Sequence, residues 1–194
     1  MTQNETQTAP LLYATDYTPL GASTRAQRHR YSMTRMTRTP QILQSASKHL
    51  FYEFWMFNTL AQGMASGIFG EGALNNAVLE SFTLHARALL DFLYAEKPQA
   101  DDVIAEDYFD DPLQWPNARP EETDSLKMIR KRVGKEVAHL TYARLDVTPE
   151  AKQWLFAQIA NDINIALSEL LKRVPTDRLS EDWIPLIEQS KAKP

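Results

Sequence analysis

The chain contains no cysteine. That excludes a disulfide scaffold, a thiolate zinc site and a cysteine nucleophile, and it agrees with a reducing compartment. Glycine is scarce too, 6 in 194 residues, and none forms a phosphate-cradling loop. The stretch "GIFGEG" has no strand before it and no Lys-Ser/Thr after it, so it reads as a turn between helices. No hydrophobic run is long enough for a membrane. The most apolar window, residues 50–69, is interrupted by Glu53, Asn58 and Gln62, which are costly at bilayer depth. The start, "MTQNETQTAPLLYATDYTP", lacks a basic segment followed by an apolar one, so no secretory signal is expected. A formal charge of −4 argues against indiscriminate affinity for nucleic acid or anionic lipid, yet permits a local basic patch. A soluble cytoplasmic protein with no membrane contact and no cofactor is expected. Alternating β patterns, internal repeats and long heptad runs are missing as well.

What is present is helical. Residues 1–38 read as an extended basic arm, with Arg25, Arg28, Arg30, Arg35 and Arg38 and no acid between them. Residues 39–194 read as one helical domain. Thr39 and Pro40 form a cap-and-first-turn signal for a helix to about Ser66. Its stripe is Leu50, Phe54, Phe57, Ala61, Met64 and Ile68, widened by Phe51 and Trp55, which predicts burial on two sides. A second helix is expected over 73–95, with Val78, Phe82, His85, Leu89 and Phe92 inward. Residues 96–124 carry ten acids against Lys97 and Arg119 and read as a long acidic connection, with one short helix near "ADDVIAEDYFDD" and a loop at "PLQWPNARPEE". A third helix is expected over 122–144 with Leu126, Ile129, Val133, Val137 and Leu140 inward. A fourth, signalled by Thr148-Pro149-Glu150, should reach about Arg173 and include Trp154 in its apolar face. A short helix at "SEDWIPLIEQ" closes the chain. The expectation is all-α: a four-helix bundle with an extended N-terminal arm and a short C-terminal helix.

The chemistry concentrates in "RKRVGKEVAHLTYAR", residues 130–144. Seven residues of α-helix turn about 700°, so Arg132 and His139 would point the same way, about 10 Å apart along the axis. Glu136 lies between them and Lys135 at the edge. A histidine titrates near neutrality and can move a proton; a guanidinium binds phosphate through paired, charge-assisted bonds. The same stretch permits a local reading. Glu136 can pair with Arg132 at i, i+4 and with His139 at i, i+3, each pair worth a few tenths of a kcal/mol. Glu136-x-x-His139 is also a half-motif of di-iron bundles, but such a site needs a second copy, and the chain has none; no metal is expected. For His85 two readings stand. It is a buried histidine bonded to Asp91 or Glu80, or it joins Arg87 in a polar pocket with Arg132 and His139.

An arginine, six residues and a histidine on a late helix of a bundle resembles the HEPN superfamily, whose hallmark is Arg-x(4–6)-His. The resemblance covers at most residues 40–173, and Val133 stands where active members commonly carry a polar residue. It implies a homodimer with the motifs across the interface and, in many members, metal-independent endoribonuclease activity in defence or toxin–antitoxin systems. On that reading His139 moves the proton of an RNA 2′-hydroxyl and Arg132 neutralises the phosphate. Lys131, Lys135, Arg87 and His85 would help hold RNA, and an antitoxin would be a protein partner. The competing reading is a helical interaction module or homodimer without catalysis. The acidic connection is expected to cover the basic helix, in the same chain or in a partner.

Overall fold

The computed structural model describes residues 35–148 and 153–192, and it is all-helical, with no strand among the described residues. Six α-helices are formed there: α1 (Pro40–Ser66), α2 (Ala73–Leu93), α3 (Gln114–Ala118), α4 (Asp124–Arg132), α5 (Phe156–Leu171) and α6 (Ile184–Ala192). None is long and apolar enough to cross a membrane. The basic run upstream of Arg35 and the helix start at Pro149-Glu150 lie outside the described residues.

Helix α1 begins as its sequence predicts. The Thr39 hydroxyl accepts from the Ile42 amide at 3.4 Å, and Pro40 opens the first turn. It ends at Gly67, whose left-handed φ of 69° suits glycine and lets its amide reach the Met64 carbonyl. Leu43, Leu50, Phe57 and Ala61 are buried at helical spacing. Phe57 stacks on Phe82 of α2, ring centroids 5.2 Å apart, and Phe82 meets Phe156 edge-on. Helix α1 packs chiefly on α2 and then on α5. Its second face is covered in part: Phe51 and Phe54 pack on Trp183, ahead of α6. Tyr52, Trp55 and Ile68 are exposed, so the two-sided burial does not extend to them.

The acidic connection is more ordered than a loop. Its acids alternate with Ile104, Tyr108, Phe109 and Trp115, all buried, and these anchor it to the core. Ala105–Tyr108 forms a 3₁₀ turn, and "QWPNA" is helix α3 rather than loop. The physical reason is Trp115, whose Nε1 donates to the Leu93 carbonyl at 2.8 Å and so caps the end of α2. The acids face partners other than the expected basic helix face. Asp107 pairs with Arg35 at 2.8 Å, and Arg35 also donates to the carbonyls of Gln99 and Asp102. Arg38 donates to the Ala100 carbonyl at 2.9 Å. Glu106 lies 3.9 Å from Arg119, and Asp110 pairs with Arg178. Toward α4 turn Glu122, at 3.4 Å from Arg130, and Asp124 in its first turn, at 3.6 Å from Lys127.

Candidate functional site

Helix α4 starts at Thr123, whose hydroxyl accepts from the Leu126 amide, and buries Leu126 and Ile129. It stops at Arg132, nine residues long. Val133–Ala138 then forms a π-helical turn, and His139 leaves it in extended backbone, φ −121° and ψ 141°. The single helix expected over 122–144 is therefore broken at its middle. A π turn bonds i to i+5 instead of i+4 and is wider. The seven-residue return that would align Arg132 with His139 no longer holds. Val133 is buried as expected, but Val137 is only half-buried, and Leu140, read as core, is 92% exposed.

Arg132 is engaged on every side. Its Nε donates to both Glu136 oxygens at 2.9 and 3.0 Å, its Nη2 to Glu136 Oε2 at 2.9 Å, and its Nη1 to the Gln153 carbonyl at 2.9 Å. The guanidinium carbon sits 3.9 Å over the centre of the Trp154 ring. With the Arg132 side chain only 11% exposed, this is a charge-assisted fork backed by a cation–π contact. The i, i+4 pairing of Arg132 with Glu136 is the one the spacing allows. Trp154 and Gln153 were invisible to that reasoning. Trp154, expected in a helical face, lies in the irregular lead into α5 and covers Arg132.

Glu136→Ala tests how much this fork contributes. It leaves a largely buried guanidinium without its carboxylate, and a loss of about 1–3 kcal/mol is expected. Urea denaturation followed by circular dichroism reads it. A change under about 0.5 kcal/mol would mean that solvent already screens Arg132.

The other predicted site residues are dispersed. Lys131, Lys135 and His139 are exposed. Arg87, also exposed, pairs with Asp91 at 3.4 Å. His85 is buried, but its Nδ1 meets Glu53 Oε2 of α1 at 2.6 Å rather than Asp91 or Glu80, with Tyr52 edge-on to its ring. It is a link between α1 and α2. Among the described residues no three histidine, aspartate or glutamate side chains gather to hold a metal ion.

Two features surround the Arg132 fork. One is a cleft of about 760 Å³ between the α1–α2 turn and the segment that follows α4. The other is the segment 139–148 itself, where Leu140, Tyr142 and Leu145 are 92%, 90% and 82% exposed. The chain matches no family model, no curated protein and no solved structure. Its reading rests on this geometry.

Proposed function

We propose that the chain is a helical interaction module that pairs with a second copy of itself through residues 139–148. Three large apolar side chains nearly bare within six residues are the observation that carries this reading. Single exposed apolar residues are ordinary; a cluster of this kind marks an interface. The segment is also self-complementary. Lys135 and His139 lie before its apolar side chains and Asp146 lies after them, all exposed. Two copies related by a two-fold axis and running antiparallel set Lys135 of each copy against Asp146 of the other, while the apolar side chains bury between them. In this reading α1, α2, α4 and α5 make the four-helix, HEPN-like bundle, and Arg132 is a structural arginine.

The test is the oligomeric state across the micromolar range by sedimentation velocity. Wild type is expected to dimerise. Leu140→Ser with Leu145→Ser should be monomeric with an unchanged helical spectrum. A wild type that stays monomeric, or a double variant that still dimerises, overturns the proposal.

A second reading draws on the exposed Lys131, Lys135 and His139 and on the exposed ring of Tyr142, all within twelve residues of sequence. Cations with an aromatic platform suit single-stranded RNA, through phosphate contacts and base stacking. Binding fits this better than cleavage, because Arg132 would first have to leave Glu136 to reach a phosphate. Incubating total RNA with wild type and with His139→Ala, without divalent metal, separates the two. Cleavage by wild type alone, leaving cyclic-phosphate ends, would instead establish the endoribonuclease reading.

A further inference from the structure

The cleft beside Arg132 has the size and lining of a ligand site. Its volume, about 760 Å³, falls within the roughly 300–1,000 Å³ usual for small-molecule pockets. Its walls come from four stretches: the end of α1, the start of α2, the π turn with the residues after it, and the lead into α5. No short segment alone would make it.

Among the described residues that line it, the charges do not cancel. Arg132 and Glu136 neutralise each other in their fork. Arg144 is left as the unbalanced charge: it donates to the Val137 carbonyl at 3.0 Å and has no carboxylate partner among the described residues. Asn75 and Asn76 add side-chain amides, each able to donate and accept. Leu79 and Phe156 supply apolar surface, and Phe156 is fixed edge-on against Phe82. A cation, neutral amides and an apolar wall select a particular kind of molecule.

We infer that this cleft binds a small organic anion with a flat, heteroaromatic body. The anionic group meets Arg144, the ring lies against Leu79 and Phe156, and ring nitrogens or carbonyls meet Asn75 and Asn76. Two of its lining residues, Arg144 and Val147, belong to the segment proposed above for self-association, so the titration is run alongside sedimentation at the same protein concentration. A nucleoside monophosphate and an aromatic carboxylate share this chemistry, and the experiment distinguishes them.

Isothermal titration of the full chain is run with adenosine 5′-monophosphate and, separately, with indole-3-acetate. Inorganic phosphate and adenosine serve as the isolated halves of the ligand. One of the two anions is expected to bind with a sub-millimolar Kd, and phosphate or adenosine alone at least about tenfold more weakly. Preference for the first identifies a phosphate ligand, and preference for the second a carboxylate. Arg144→Gln should weaken binding about tenfold or more. Leu79→Trp, which places a bulky ring where the ligand's ring would lie, should also weaken it about tenfold or more while leaving the helical spectrum and thermal midpoint of the free protein in place. If neither anion binds below the millimolar range, or if the bound one is unaffected by both substitutions, the inference fails.

Discussion

Replacing Trp183 by alanine is expected to remove about 3–5 kcal/mol of stability, the range for deleting a fully buried large aromatic side chain. Trp183 has no exposed surface. Its ring meets Phe51 edge-on at 5.3 Å and Phe54 at 5.6 Å. Its Nε1 donates to the Ser47 carbonyl at 2.9 Å, and the hydroxyl of the same Ser47 accepts from the Ser180 amide at 2.7 Å. The last segment is thus pinned to the first half of α1 by a ring and by two hydrogen bonds at Ser47. Alanine leaves a cavity that α1, already packed on α2 and α5, cannot close. Trp183→Phe keeps most of the apolar contact but loses the donor, and should cost roughly 1–2 kcal/mol. Guanidinium denaturation followed by far-ultraviolet circular dichroism checks both. A loss below about 1 kcal/mol for the alanine variant would show that α6 undocks without disturbing the bundle.

What the sequence disclosed depended on how local each cause is. The Thr39–Pro40 start, the burial of Leu50, Phe57 and Ala61, and the inward set Phe82, His85, Leu89 and Phe92 were all legible, since cap chemistry and helical period act within a few turns. The π turn was not. Val133, Val137 and Leu140 fit an α-helical stripe as well as any real one, and the pattern carries no mark of the wider turn that exposes Leu140. Prolines on both sides disguised Trp115 as a loop residue, although its indole closes α2. At the candidate site the local half was readable and the distant half was not. Glu136 could be assigned to Arg132 from spacing alone, but Trp154 lies 22 positions away and reaches Arg132 only through the fold. His85 shows the same limit, for its partner Glu53 comes from another helix, 32 residues earlier.

Glu106→Gln should stabilise the protein at alkaline pH, an unusual outcome for removing a carboxylate that faces an arginine. Burial pushes the Glu106 carboxyl up to about 7 from an ordinary 4.5, outweighing the pull of its backbone hydrogen bond and of Arg119, and Asp107 beside it adds to the rise. Arg35 also faces the group, and pulls the other way. One carboxyl oxygen is buried without a hydrogen-bond partner, and Arg119 stands 3.9 Å away, too far for a close bond. The neutral acid therefore favours the fold. Its stabilising contribution is complete below pH 4.5, and it is lost as the pH rises through about 7, because the folded state binds the proton more tightly than the unfolded chain. A shift of this size corresponds to about 3 kcal/mol. Glutamine is neutral throughout, so the variant should be about 2–3 kcal/mol more stable than wild type at pH 8 and nearly equal to it at pH 4.5. Glu122, raised chiefly by burial as well, titrates in both proteins and drops out of the difference. Urea denaturation of the pair at pH 4.5, 6 and 8 measures it. A variant less stable than wild type at pH 8 would mean that attraction to Arg119 exceeds the cost of burying the charge, and that the acidic connection is held by ion pairs rather than by its aromatic anchors.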